Sequence, residues 1–463
     1  MKKTKIVGAI LSLAVLSGMM FVPESIGLSR QGISTLGVLI ALIIALVTEP
    51  LELGISCMLA VALMVVFGVY PSVSGALSGY TNHILFFVLV SFGLSEAIST
   101  VPLSKRLLIK LVRIFGAKSE RVLLALMLCA AVMSSVMSNV ATTAVLISVV
   151  LDFLKIYSNE EDRKLTAKAY MIGLPLASML GGMITPAGSP LNMLGIEFLN
   201  QAGIRVGFVQ WMAIGTPIAV VMIFVTWFLI IKIFKPVPIQ EESTWKYLES
   251  LNIPKKFSFQ EKYVTVIVAA MFTCWVLSSW YPVLNITVVG TIFMTFFFLP
   301  KVGVLTWKKY TQCVSWGSYF LIGTMMSLGG ALTANGVSEW LVKILFPAEM
   351  HLPLIAITFI MAVAVFLLLI PIPIGPALIS SLGASFIVLA EQWGISPVLM
   401  IMVLVLCAAN CFLLPLDTVP LLTYATGTYK MTDMPKVSVW VQLCIAVCVA
   451  VWVPVSLGIL GYL

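Results

Sequence analysis

The fold depends on a polar break within an apolar segment, which reads Ser134-Ser-Val-Met-Ser-Asn-Val-Ala-Thr-Thr143. Five hydroxyls and one amide lie within these ten residues. Backbone that leaves a helix at membrane depth is costly unless it lines a cavity. The break therefore predicts a hairpin over residues 121–157. The oxygen atoms at its tip suit a cation, and the helix N-terminus after the tip suits an anion. Polar residues joining helices are the simpler alternative, but the density of this cluster favours a site.

Around this break the composition is that of a membrane protein. Of 463 residues, 60% are hydrophobic and only 10% are charged, which is too few for the surface of a soluble protein. Apolar stretches of about 20 residues recur along the chain. The net charge of +8 does not indicate nucleic acid, because the basic residues lie between apolar stretches. Eight cysteines without a CxxC pair and two histidines argue against disulfides, zinc or another resident cofactor.

The positive charges predict which loops are cytoplasmic. If 121–157 and 352–390 are hairpins that enter and leave on one side, every Lys and Arg of the 27 except Arg30, Arg205 and Lys343 lies inside. We therefore expect an all-α inner-membrane protein with about 11 transmembrane helices, two re-entrant hairpins with broken helices, and a cytoplasmic N-terminus. Residues 1–32 form an N-terminal helix, which lacks the cleavage site of a signal peptide. Residues 33–234 and 263–463 form two halves, joined by a cytoplasmic linker at 235–262.

The two halves resemble each other at an offset of 234 residues. At that offset Leu94 matches Leu328, and Ser104 matches Ser338, each serine preceding a short charged segment. We expect each serine to cap an amphipathic interfacial helix. Equivalent elements on opposite faces are typical of an inverted-topology repeat.

Three further breaks complete the pattern. Thr185-Pro-Ala-Gly-Ser-Pro-Leu-Asn192 predicts a broken helix around 183–192, and Pro371-Ile-Pro-Ile-Gly-Pro-Ala377 matches the first tip at the repeat offset. The last break, around 415–420, carries Asp417. A carboxylate at membrane depth is usually functional, so Asp417 is a candidate for ion or proton coupling. A position near the cytoplasmic interface is the simpler alternative.

At these motifs the chain resembles the divalent anion/sodium symporter family, which carries dicarboxylates, citrate or sulfate. The family's Ser-Asn-Thr at the hairpin tip is met by Ser138, Asn139 and Val140, and its Thr-x-x-Gly-Thr-Pro-Pro-Asn by residues 185–192. The resemblance implies scaffold and transport domains, an elevator mechanism, a homodimer, and a substrate anion between the two tips. It also implies a sodium ion held near Ser134, Ser138, Asn139 and Gly188.

The second half departs from the family pattern. Its Ser-Asn-Thr is absent, its Pro-Pro-Asn is degraded, and Asp417 stands where a small residue is usual. We expect Asp417 to replace part of the missing cation site. The expected substrate contacts come from both halves: Ser138, Asn139, Val140, Thr142, Ser189, Pro373, Gly375, Thr418 and Pro420.

Four functions fit the sequence. The first is a secondary anion transporter, with cation coupling or as an exchanger. The second is a cation/proton antiporter or arsenite-type permease, in which Asp417 carries the proton. The third is a membrane-embedded hydrolase. It would need a catalytic pair deep in the bilayer, whereas His83 and His351 fall near the predicted outer edges of the membrane. A receptor or scaffold without transport is the fourth.

Overall fold

The computed structural model describes residues 2–24, 27–281 and 283–463. Within these ranges the regular structure is entirely helical, as the sequence predicts. The first half contains α1(Lys2–Met19), α2(Arg30–Thr48), α3(Leu53–Val66), α4(Val73–Ala76), α5(His83–Ser99), α6(Leu103–Phe115), α7(Ser119–Ser134), α8(Asn139–Leu154), α9(Glu160–Gly182), α10(Pro190–Gln201) and α11(Phe208–Phe234), with short 3-10 helices at Ser78–Thr81 and Pro186–Gly188.

The second half begins after a linker that carries a helix of its own. Its elements are α12(Glu241–Ser250), α13(Phe259–Leu277), α14(Ile286–Phe296), α15(Trp307–Cys313), α16(Trp316–Ala334), α17(Val337–Leu345), α18(Leu354–Leu368), α19(Gly375–Trp393), α20(Pro397–Ala408), α21(Thr418–Tyr424) and α22(Pro435–Leu460).

Membrane-spanning capacity is limited by how often the helices break. By length and composition, three helices in the described ranges could cross a bilayer: α2, α11 and α22. Two bent pairs would raise the number to five, namely α5 with α6 at 66° and α16 with α17 at 73°. Six more apolar helices have only 10–17 residues, which is short for a crossing.

The bent pairs lie at the two repeated segments. In α6 the apolar positions recur three and four residues apart while Lys105, Arg106 and Lys110 fall between them, which is the pattern of an amphipathic helix. The predicted serine caps are wrong, however. α6 starts after Pro102 and α17 after Gly336, whose φ is +70°, so the chain has already turned before Ser104 or Ser338 is reached.

The linker at 235–262 is more ordered than the loop that the sequence predicts. Its helix α12 lies across the ends of α7 and α8. Thr244 Oγ1 donates to the carbonyl of Ala117 (2.9 Å), and the Tyr247 hydroxyl donates to the carbonyl of Val149 (2.8 Å). These bonds attach the linker to the first hairpin.

The buried apolar residues form two cores. The smaller core joins α1, α2, α3 and α4 to one face of α16, with Leu321 and Met325 at its centre. The larger core contains most of the other helices, including both hairpins and all of the buried α20. The first hairpin therefore belongs to the larger core, whereas the second tip also contacts the smaller core through Ile372, Ile374 and Ala377.

Candidate functional site

The first hairpin tip is stabilised by its own serines. α7 ends at Ser134 and α8 begins at Asn139. The Ser138 N–H donates to Ser95 Oγ on α5 (2.8 Å), while Ser138 Oγ accepts from the Ala141 N–H (3.4 Å) and caps α8. The first intrahelical bond runs from the Thr142 N–H to the Ser138 carbonyl (2.9 Å). The N–H groups of Asn139 and Val140 precede it, so they are available to a ligand.

The amide of Asn139 lies in a ring of oxygen atoms. One of its terminal atoms is 2.5 Å from Ser134 Oγ, 3.3 Å from the Ser178 carbonyl and 3.2 Å from the Gly188 carbonyl. With nitrogen in that position, the amide donates to all three. With oxygen there, four oxygens converge, which is the donor set that a hard cation takes.

The break after α9 is stabilised by three buried side chains. Thr185 Oγ1 donates to the Ser135 carbonyl (2.6 Å), which fixes this break against the first tip. Asn192 Nδ2 donates to the carbonyls of Gly182 (2.7 Å) and Thr185 (2.8 Å). Trp211 Nε1 donates to the Met183 carbonyl (3.1 Å). The carbonyls of Gly182, Met183 and Thr185, which the broken helix leaves free, are therefore satisfied within the protein.

The second tip is apolar and closely packed. The Ile374 N–H donates to the Ile372 carbonyl (2.8 Å), and α19 follows with Pro376, which has no N–H. A Cβ on Gly375 would lie 2.9 Å from the Ala408 carbonyl and 3.0 Å from Leu191 Cδ1. The start of α19 is thus packed against α20 and α10.

Asp417 is the N-cap of α21. Its Oδ1 accepts from the Val419 N–H (3.1 Å) and from Thr418 Oγ1 (3.3 Å). α21 packs against α8 and α9, so the half-buried carboxylate is held beside the first hairpin.

These elements surround one cavity of about 650 Å³. The helices α8, α10 and α19 all begin at its wall, and the positive ends of their dipoles suit an anion. Eight of the residues predicted for the site line it: Ser138, Asn139, Val140, Gly188, Ser189, Pro373, Asp417 and Thr418.

Four predicted residues do not line the cavity. Ser134 and Gly375 are buried one step behind it, in contact with Asn139 and Ala408. Thr142 lies on the buried face of α8, one turn after the tip, and Pro420 is buried inside α21. Pro420 is two positions after Thr418, so it faces away from that lining residue. Thr142 is one turn after Asn139, and it faces a separate small cavity with Met133, Met137 and Leu146.

Other lining residues were not predicted. Lys5, Glu49, Glu52, Ser56 and Ser91 come from α1 to α3 and α5. Ser56 Oγ is buried and has no hydrogen-bond partner among the described residues. The sequence signal was present at Glu49 and Glu52, since two carboxylates flank Pro50 between apolar helices. Glu49 and Glu52 are far in sequence from the four predicted helix breaks, so the sequence alone did not connect them with the site.

No cluster of three or more His, Cys, Asp or Glu side chains able to hold a metal occurs in the part of the chain that the structure describes. The cation site that the geometry allows is instead one of hydroxyl, amide and carbonyl oxygens, which suits a sodium ion.

Known proteins resemble the chain over almost its full length. The model of the family described as "sodium:sulfate symporter transmembrane region" matches residues 3–460. The sodium-dependent dicarboxylate transporter SdcS of Staphylococcus saprophyticus is 26% identical over 98% of this chain and 92% of its own length. SdcS of Staphylococcus aureus strain USA300 is 23% identical over the same shares.

A solved structure gives a further comparison. The crystal structure of the Alcanivorax borkumensis YdaH transporter covers 87% of this chain and 90% of its own, with 13% identity and a TM-score of 0.49.

The family and the curated relatives are membrane transporters and not enzymes, which agrees with the expectation from the sequence. The chain is a multi-pass membrane protein, and it belongs to the sodium:sulfate symporter family.

Proposed function

We propose that the protein is a secondary active transporter of small carboxylate or divalent anions, driven by a cation gradient across the inner membrane. One observation carries the proposal: three helices begin at a single cavity of about 650 Å³ whose lining includes hydroxyls and an oxygen-rich amide site. Helix N-termini attract anions and oxygen clusters attract cations, so one cavity can bind both.

The cation in this proposal is sodium. Asn139 Oδ1, Ser134 Oγ and the Gly188 carbonyl supply the ligands, with Ser138 at the same tip. A bound cation would screen the contacts between these oxygens and rigidify the tip. It would also bring positive charge beside the N-termini of α8 and α10, so sodium would favour anion binding electrostatically.

The transport cycle that we propose is an elevator. The larger core carries both hairpins and moves against the smaller core of α1, α2, α3 and α16. The cavity is lined by residues of both, for example Ser189 from one and Ser56 from the other. The proposal includes the inverted repeat, about 11 crossings, a cytoplasmic N-terminus and a homodimer.

Uptake into proteoliposomes tests the proposal. Succinate, citrate and sulfate are offered with and without an inward sodium gradient, and we expect sodium-stimulated uptake of at least one. Asn139→Ala removes the amide oxygen and should abolish the sodium stimulation. Ser148→Ala, an exposed position on the same helix, is the matched control. Uptake of none of the three anions, with or without sodium, would contradict the proposal.

Asp417 supports a second candidate, a cation/proton antiporter or arsenite-type permease, because a carboxylate at a cavity wall can carry a proton. Proton flux that needs no organic or sulfate anion would favour it. Under the transport proposal Asp417 is a coupling group that replaces part of a second cation site. Unchanged coupling in Asp417→Asn would exclude that role.

A further inference from the structure

We infer that the cavity selects a substrate with one carboxylate and a hydrogen-bond donor at its other end, a hydroxyl or an ammonium, over one with two carboxylates. This rests on the proposed function and narrows its substrate class. It also gives an alternative to the coupling role of Asp417, in which the donor group that faces this carboxylate belongs to the substrate.

The donors that can hold a carboxylate come from the first half of the chain, including α3. The free N–H groups at the start of α8 belong to Asn139 and Val140, and both residues line the cavity. Ser189 caps α10 beside them. Ser56 lines the same cavity with a buried hydroxyl that no described residue engages. A buried hydroxyl without a partner costs free energy, which a bound ligand would recover.

The second half brings the start of α19 to the cavity wall, but its lining side chains offer few free donors, because the Ser318 hydroxyl pairs with Ser315 and that of Thr418 with Asp417. Pro373 and Pro376 have no N–H, and the N–H of Ile374 is bonded to Ile372. Leu416 adds apolar surface. The strongest polar group on this side is Asp417, which is an acceptor when ionised.

The carboxylate of Asp417 is only partly satisfied. Both hydrogen bonds that it accepts from described residues go to Oδ1, and no Lys or Arg in the described ranges lies within 4.0 Å of it. Oδ2 is therefore free for a donor from the cavity. A second substrate carboxylate placed here would meet a like charge, whereas a hydroxyl or ammonium would bond to it.

The net charge of the cavity lining increases this bias. Glu49 and Glu52 lie in the loop between α2 and α3, and Lys5 is the one described basic residue in the lining. With Asp417 the lining holds three carboxylates and one ammonium, a net negative charge before any ion binds. One bound sodium ion offsets only part of it, so a monoanion fits the cavity better than a dianion.

Four matched acids isolate the far end of the substrate: succinate, butyrate, 4-hydroxybutyrate and 4-aminobutyrate each have four carbons and one common carboxylate. Labelled uptake and mutual competition are measured in proteoliposomes of the full-length protein with an inward sodium gradient. A hydrogen bond to a charged group predicts that the hydroxyl or amino acid is preferred over butyrate and succinate by about tenfold or more. The comparison of 4-hydroxybutyrate with 4-aminobutyrate shows whether the preferred donor is a hydroxyl or an ammonium.

Two variants then test Asp417 as the contact. Asp417→Asn and Asp417→Ser both keep a residue that caps α21, so one of them should fold even if the other does not. We expect each variant to lose about tenfold in its preference for the donor-bearing acid and to take up succinate better than the wild type does. Asp152→Asn, which removes an exposed carboxylate outside the cavity, should keep the wild-type order.

The outcomes separate the two proposals. Succinate equal to or better than the donor-bearing acids in the wild type would overturn this inference and leave the transport function standing. The same shift in Asp152→Asn would also overturn it, because the effect would then come from the overall charge of the protein and not from a contact in the cavity. If the protein took up none of these acids and neither citrate nor sulfate, both the transport function and this inference would be contradicted.

Discussion

The ion pair between Arg106 and Glu261 joins the amphipathic helix α6 to the start of the second half. Arg106 Nε donates to Glu261 Oε1 (2.5 Å) and Nη2 donates to Oε2 (3.2 Å). The guanidinium also donates to the Lys256 carbonyl (3.1 Å) and stacks over the Phe257 ring at 4.6 Å. Glu261 in turn accepts from the Ser258 N–H (2.6 Å), so the carboxylate completes a capping box on α13.

Burial decides how much this pair contributes. The Arg106 side chain is 16% exposed and that of Glu261 is 3% exposed, so solvent screens the pair far less than a surface pair. Two charged hydrogen bonds in such a setting predict a coupling free energy of about 1.5 to 3 kcal/mol between the two side chains. The cation–π contact with Phe257 is a separate contribution of about 0.5 to 1 kcal/mol, which the single Arg106 variant also loses.

A double-mutant cycle measures the coupling. Arg106→Met, Glu261→Gln and the double variant are unfolded in mixed micelles with increasing SDS, followed by tryptophan fluorescence. The exposed pair Lys155 and Asp152, whose side chains are 73% and 55% exposed, is the control and should couple by less than about 0.5 kcal/mol. A coupling of Arg106 with Glu261 no larger than that of the control would refute the reasoning.

Three further predictions follow from the packing. Gly181→Ala should destabilise the protein strongly, because a Cβ there would lie 2.4 Å from the backbone of Ala131, whereas Gly18→Ala meets nothing within 4 Å and should be neutral; thermal unfolding in detergent compares them. Asn192→Leu should cost about 2 to 5 kcal/mol, since two buried carbonyls lose their donor, and transport should fall with stability. The pKa of Asp433 is raised by burial but lowered overall, because the hydrogen bond from Lys436 and other contacts outweigh it. Its carboxylate therefore stabilises the fold above the ordinary pKa of 3.8 and this contribution is lost as pH falls through the lowered value, so Asp433→Asn should flatten the acid limb of the stability profile.

The helix breaks could be predicted from the sequence because they are local. Hydroxyls, prolines and glycines at 134–143, 183–192 and 371–377 each interrupt apolar chain, and no distant contact is needed to see that a helix cannot continue there. The serine caps of α6 and α17 were wrong although the deciding feature is also local: Pro102 and Gly336, each two residues before the serine, set where the helix starts.

Sequence alone therefore determined that the chain is helical, apolar and interrupted at defined points, and it placed Asp417 at one of them. Only the tertiary structure decided that Ser56 and Glu52 share a cavity with Ser189, while Thr142 does not. Helix propensity and hydropathy act over a few residues, and the lining of a cavity depends on which faces of distant helices are packed together.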